Sequence, residues 1–478
     1  MTALAERLRA AGAERVRVGW CDLHGALRGK TVTLDALPAV LADGVSLVST
    51  ILLKDTSDRT AIKVFDPEAL AALTALPGLK GFGPANNLLL RPDPASLQPA
   101  LPWAPGTAWL RGDLCFDDGR PLAADPRRVL EAAQQRLRAE LGAVLVCGLE
   151  VEFHVYRIDD ARADPDAAAW PGEPPRVSLV HPGYNLLAEG WADLGDEVIG
   201  IVQHTCRGLG LPLRSIEIEL GPSQFEAVFE PAEALQAADR MVLFRNGLRQ
   251  ALRRAGYHAS FVCRPPFAHV MASGWHLHHS LAGERGNLFV RDAPAPGSAP
   301  ADAAHTLSDT GVHWLAGLLA HARGACALAS CTVNAYGRFQ PHAMAPTGVL
   351  WGRDNRGAML RVLGGAGDAA TRIENRAGEP MANPYLYMAA QILAGLDGVR
   401  RRLQPPPASV APYAAEQARL PSSLAEALAE LEADRVLCEG LGAGLVALYG
   451  AVKRSEIARH DAAADKAQWM RREYFSRF

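Results

Sequence analysis

With 49 lysines and arginines against 52 acids in 478 residues, the chain has a formal net charge of −3 and no broad basic character to draw it to nucleic acid or an anionic membrane. Hydrophobic residues make up 49% and charged residues 21%, an ordinary globular composition in a chain long enough for two domains or one large one with insertions. The 8 cysteines include no C-x-x-C pair, so they read as reduced, cytosolic thiols and argue against a disulfide framework or a zinc knuckle.

MTALAERLRAAGAERVRVGW predicts a short amphipathic helix running into a strand, without the apolar stretch of a signal peptide. The strand-like pieces RVRVGWCDL and VSLVSTILL come next, and the prolines of DPASLQPALPWAP place a boundary near residue 104. A first domain over 1–104 and a second over 105–478 are therefore expected. DPRRVLEAAQQRLRAEL should form a helix with Asp125 as N-cap and Pro126 at its first position. Helices are also expected at 231–255, at 384–403 behind Asn383, and through the C-terminal region. The stretch VHWLAGLLAHARGACALASC, interrupted by His313, His321 and Arg323, predicts a buried core helix and not a membrane span. Residues 160–176 and 291–303 are expected as surface loops. The expectation is a soluble, cytoplasmic protein.

Four strand candidates carry the chemistry. VLVCGLEVEFHVYRI alternates Leu149, Val151, Phe153 and Val155 with Glu150, Glu152 and His154. SIEIELGPSQFEAVF alternates twice around a Gly-Pro kink, presenting Glu217 and Glu219 before it and Gln224 and Glu226 after it; TRIENRAGEP presents Arg372, Glu374 and Arg376. GWHLHHSL supplies His276, His278 and Ser280, with His279 on the other face. A half-buried strand with a wet face would account for any one of these. Four together imply more. Paired in one sheet they would crowd like charges, which is destabilising unless a cation offsets it. A mostly carboxylate set with an imidazole suits Mg2+ or Mn2+ better than zinc, and neighbouring arginines suit phosphate. The residues thus point to metal-dependent phosphoryl transfer on a curved antiparallel sheet. NAYGRFQPHAMAPTGVLWGRDNRGAMLRV adds Arg338, Arg353, Arg356 and Arg361, either a solvated face or a buried anion-binding loop.

Taken in order, VGWCDLHGALRGK, RPDPASLQPALPW, GLEVEF, EIELGPSQFE, GWHLHHSL, NAYGRF, WGRDNR, RIENR, ANPYLYMAAQILAGLDGV and KRSEIARHD resemble the glutamine synthetase family along nearly the whole chain. The resemblance implies an α+β fold, with a small N-terminal β-grasp domain followed by a catalytic domain whose curved antiparallel sheet is flanked by helices. It implies ATP as co-substrate, Mg2+ or Mn2+, glutamate and a small amine as partners, and a homo-oligomer of two hexameric rings. Glu152, Glu219 and Glu226 fall where the family binds the metal nearer the acceptor carboxylate. Glu150, His276 and Glu374 fall where it binds the metal nearer the ATP phosphates, and His278 and Ser280 where it contacts nucleotide. Arg338 matches the arginine that holds the α-carboxylate of glutamate. Arg356, Arg361 and Arg376 match those gripping the transferred phosphate and the reacting carboxylate. The implied chemistry is phosphorylation of a side-chain carboxylate by ATP, then attack of an amine on the acyl phosphate.

Two departures bear on the amine. Where glutamine-forming enzymes place a site-closing, proton-accepting glutamate immediately before an Ala-Pro pair, RFQPHAMAP has Met344. Where they place Asn-Gly before Ser-Gly, VMASGWHLH has Met271 and Ala272. Ammonium needs an anionic site and a base, whereas an arylamine is already neutral. An alkylamine or polyamine would need a base, for which His342, Asp55 and Asp58 are candidates. The expectation is a γ-glutamyl amide ligase using an amine other than free ammonia. The alternatives are a glutamine synthetase proper, a guanidino-kinase-like phosphotransferase, or an inactive paralogue.

Overall fold

The computed structural model describes residues 2–414 and 418–478. Strands β1 (Arg15–Cys21), β2 (Leu27–Thr33), β3 (Val45–Val48), β4 (Asn87–Pro92) and β5 (Thr107–Phe116) form a five-stranded sheet of order β2-β1-β5-β4-β3. β1 runs parallel to β5 and antiparallel to β2, the mixed pairing of a β-grasp-like unit. Val16, Val18 and Trp20, spaced two apart, share one buried face of β1. The boundary expected near residue 104 falls just ahead of β5, the central strand of this sheet. The prolines that suggested a boundary lie in the irregular connection between β4 and β5. Proline lacks an N–H and breaks a ladder equally well inside a domain or between two.

The second sheet has eleven strands: β6 (Val144–Asp160), β7 (Arg176–Leu179), β8 (Leu213–Ile218), β9 (Gln224–Phe229), β10 (Ala232–Glu233), β11 (Tyr257–Ser260), β12 (Trp275–Gly283), β13 (Gly286–Asn287), β14 (Trp351–Arg353), β15 (Leu360–Leu363) and β16 (Arg372–Asn375). Its main path is β14-β15-β16-β12-β6-β9-β8, antiparallel throughout except between β14 and β15. The long β6 is the spine. One face of it buries Leu149, Val151, Phe153 and Val155, and Phe153 packs among Phe225, Phe244 and Phe261 with ring centroids 5.3–6.2 Å apart. Each such side chain stabilises the sheet by about 1.5–3 kcal/mol. That leaves the opposite face of β6 to polar residues.

Helices close over the apolar face. Asp125 accepts the N–H of Arg127 and caps Pro126–Leu141, and Asn383 accepts from Tyr385 and Leu386 at the start of the buried helix Pro384–Arg401. The single helix expected over 312–331 is instead two, Asp309–Ala320 and Ala322–Ala329, broken at His321. The imidazole there lies 2.7 Å from Asp434 and 3.0 Å from Asp397, acids carried by other helical segments, and this long-range pairing accompanies a break that local periodicity does not predict. No single helix among the described residues is long and apolar enough to cross a membrane. The pair Arg435–Leu441 and Ala443–Asp461 passes that test only jointly, across a 103° bend.

Candidate active site

The register of β6 decides which acids meet. Glu152 stands opposite Glu226 of β9, which stands opposite Glu217 of β8. Glu150 faces His276 of β12, His278 faces Glu374 of β16, and Glu374 faces Arg361 of β15. The result is one continuous acidic face. Glu152, Glu219 and Glu226 bring ligand atoms within 4.8 Å of one another, and so do Glu150, Glu226 and His276, and Glu150, His278 and Glu374. Glu219 lies one residue beyond β8, in the turn to β9, where its carboxylate accepts the N–H of Leu220.

Burial, followed by the neighbouring charges of Glu150, Glu152, Glu219 and Glu217, pushes the Glu226 carboxyl up to about 11. Burial and then Glu219 push Glu152 up to about 8, and Glu219 is raised as well. Burial also acts to raise Glu150, but hydrogen bonds from His276 and His278 overcome it and hold this acid well below the usual carboxylate range. His276 is pushed down to about 4 by burial and by the charge of Arg376. Three crowded carboxylates raised together are the signature of a site that is stable when it holds a cation. Oxygen-rich ligands with one or two imidazoles fit a hard dication.

Of the residues singled out in the sequence, the structure brings Glu152, Glu219 and Glu226 together. His276 Nδ1 lies 3.2 Å from Glu150 and 3.7 Å from Glu374. His278, expected to face nucleotide, stands equally close to the acids. Its Nε2 is 3.0 Å from Glu150 and 4.0 Å from Glu374, and Arg372 donates to its Nδ1 at 3.2 Å. His279 points into the core and accepts from Trp314 at 3.2 Å. Ser280 and His278 open onto a cleft of about 500 Å³ also lined by Gly148, Glu150, Arg214 and Arg372.

The arginines are more tightly committed than the sequence suggests. Arg376 pairs with Glu374 through one N–H and donates to the carbonyls of Arg356 at 3.0 Å and Met344 at 3.1 Å. Arg361 bridges Glu374 at 3.1 Å and Asp354. Arg338, buried, donates to the carbonyls of Arg376 and Gly378, and its second amine lies 3.3 Å from His276. Arg356 is exposed.

The loop carrying His342 and Met344 runs over this group, with both residues in the left-handed region at φ 63° and 50°. Met344 is 50% exposed, and its carbonyl is tied down by Arg376. On the other side, Met271 packs on Gly221, where a Cβ would come within 2.9 Å of it, and Gly221 belongs to the turn that carries Glu219. The other two candidate bases are engaged elsewhere. Asp55 is fully buried and accepts from Arg459 at 3.0 Å and Ser455 at 2.9 Å, and Asp58 pairs with Arg28 at 2.8 Å. Asp354 and Ser273 also touch the site residues and were not singled out. Both sit in irregular segments, where no periodicity marks them.

Residues 123–474 match the catalytic-domain family of glutamine synthetase. The chain is 37% identical over 481 residues to the gamma-glutamylanilide synthase of an Acinetobacter species, covering 97% of this chain and 93% of that protein. It is 32% identical over 466 residues to the gamma-glutamylethanolamide synthetase of Streptomyces coelicolor, again with 97% and 93% covered. The solved structure "Apo GmaS without ligand" superposes with a TM-score of 0.76 at 30% identity, covering 99% of both chains.

Proposed function

This chain belongs to the glutamine synthetase family and is an ATP-dependent carbon–nitrogen ligase, and on that premise we propose that it joins the side-chain carboxylate of glutamate to an amine larger than ammonia. One observation carries the choice of amine. The loop over the acidic face offers Met344, half exposed, where a proton-accepting carboxylate would serve ammonium. Met271, packed on the Gly221 turn that carries Glu219, would add a second apolar side chain to the lining that meets the amine. Burying about 100 Å² of an organic amine there contributes on the order of 2.5 kcal/mol at roughly 25 cal/mol per Å². Ammonium gains nothing comparable, and stripping its water without a carboxylate partner is costly. That the anilide and ethanolamide synthetases act on an aryl and a hydroxyalkyl amine supports the same reading.

The acidic face would hold Mg2+ or Mn2+, through Glu152, Glu219 and Glu226 on one side and Glu150, His276 and Glu374 on the other, with His278 adjoining. Such ions, when bound, supply positive charge to phosphoryl and carboxylate oxygens. The cleft at His278 and Ser280 has the size of a small-ligand site and would take the nucleotide, its phosphates toward Glu150. Arg338 would hold the α-carboxylate of glutamate with the donors its backbone contacts leave over, since a guanidinium has five. Arg356, Arg361 and Arg376 would grip the transferred phosphoryl group. The terminal phosphoryl of ATP passes to the side-chain carboxylate. The amine nitrogen then attacks the acyl carbon and inorganic phosphate leaves. An arylamine arrives neutral; an alkylamine would surrender its extra proton to a base, for which exposed His342 is the candidate on this loop. Use of ATP supports a cytoplasmic location, and the family resemblance supports a homo-oligomer of two hexameric rings.

The test is a panel of ammonia, aniline, ethanolamine and putrescine with glutamate, ATP and Mg2+ or Mn2+, reading phosphate release and product mass. A specificity constant at least about tenfold higher for an organic amine than for ammonia is expected from the apolar area such an amine buries. Ammonia as best substrate would make the protein a glutamine synthetase. ADP release with glutamate alone, and no amide product, would favour a phosphotransferase.

A further inference from the structure

Four side chains tie the acidic face to the loop that precedes β12. Gln224 Oε1 accepts the N–H of Gly221 at 2.9 Å, which fixes which end of its amide points where. Its Nε2 therefore donates, to Glu152 Oε2 at 3.1 Å and toward the loop, to Ser273 Oγ at 3.1 Å and the Ala272 carbonyl at 3.3 Å. The N–H of Gly274 gives Glu152 a second bond at 2.8 Å. Having accepted from Gln224, the Ser273 hydroxyl has its own hydrogen for His154 Nδ1, 3.2 Å away. Glu152, Gln224, Ser273 and His154 are all buried. His154 shares the polar face of β6 with Glu152 and stacks on Tyr156 at 6.0 Å, while its Nε2 has no partner among the described residues. Among the described residues, the contact with Ser273 is therefore the ring's only polar tie.

We propose that His154 is a positioning residue: through Ser273 and Gln224 it holds the loop Met271–Gly274 in register with Glu152, so that the acceptor loop and the ligand face are one rigid unit. The inference rests on the functional reading only in taking that loop to line the acceptor pocket. His154→Phe keeps the ring and its stacking and removes the acceptor, leaving the Ser273 hydroxyl buried without one. Half-saturating glutamate and amine concentrations should rise by about tenfold, the usual scale for one lost buried contact, while that for ATP stays within about twofold. His154→Asn returns an acceptor near the Nδ1 position and should recover most of the loss. Ser273→Ala, which removes the hydroxyl itself, should show the same split and covers the case of a poorly folded Phe variant. Equal losses for ATP, wild-type values in His154→Phe, or an Asn variant no better than Phe would overturn the proposal.

Hydrogen exchange at residues 271–274 reads the same link without substrate. Faster exchange in His154→Phe and wild-type exchange in His154→Asn are expected. That pattern in a protein that makes no amide would overturn the functional reading and keep this one. Unchanged exchange would overturn this one even with amide synthesis intact.

Discussion

Asp55 and Glu473 are buried as deeply as any acid of the β6 face, yet the two regions treat their charge in opposite ways. Arg459 sits between Asp55 and Glu473, donating to the first at 3.0 Å and to the second through two N–H groups at 2.6 and 2.8 Å, with Ser455, Ser57 and Thr56 completing the shell. Burial would raise the Glu473 carboxyl, but these bonds overcome it and hold it below the usual range. Glu152, Glu219 and Glu226 are raised instead, first by burial and then by neighbouring acids: Glu219 acts on Glu152, Glu217 and Glu150 act on Glu219, and Glu150 leads the four that act on Glu226. A paired buried acid joins the N-terminal loop to the C-terminal helices. Acids crowded together without such a partner hold a stability deficit that a bound cation removes.

The largest test of that contrast is Arg459→Ala. Leaving Asp55 and Glu473 buried and unpaired should destabilise the fold by about 3–5 kcal/mol in denaturant unfolding. A change under about 1 kcal/mol would mean that the junction is not held by charge pairing.

Glu226→Ala or Glu152→Ala should do the reverse. Phosphate release at limiting Mg2+ should fall at least about a hundredfold, the scale for losing an electrostatic stabiliser. Stability without metal should hold or rise, because repulsion is relieved. Near-normal turnover would show that the acidic face is not the catalytic one.

The two regions should also have opposite pH slopes. Glu152 and Glu226 titrate higher folded than unfolded, so the stability they contribute is present below about pH 4.3 and is lost as pH rises, through about 8 for Glu152 and toward about 11 for Glu226. Glu473 titrates lower when folded, so its contribution is present above about pH 4.3 and is lost on acidification. Metal-free protein should therefore melt at lower temperature at pH 8 than at pH 5.5. Glu152→Gln should flatten the fall, and Mn2+ at a hundred times its dissociation constant should restore about 2.7 kcal/mol. A melting temperature indifferent to Mn2+ at pH 8 would count against a cation site.

The smallest effect concerns the loop over the site. Met344→Glu should raise the specificity constant for ammonia and lower that for the best organic amine, shifting their ratio by about tenfold, one lost decade of apolar binding. An unchanged ratio would remove Met344 from amine selection.

Which side chains share one face of a strand could be read without any fold, because alternation is a local property of extended backbone. Glu150, Glu152 and His154 on β6, and Arg372, Glu374 and Arg376 along the segment that includes β16, were legible in this way, as were the caps Asp125 and Asn383. The tertiary structure alone decided register and partnership. A strand read by itself does not say that Glu152 meets Glu226 while Glu150 meets His276, and a slip of one residue would send every acid to the apolar face. Nor could spacing show that His278 crowds the same carboxylates, that Arg338 gives donors to two backbone carbonyls, that His321 pairs with acids of distant segments where a helix breaks, or that Thr107–Phe116 returns to the first sheet. Each of these depends on groups far apart along the chain, and only packing brings such groups within hydrogen-bond reach.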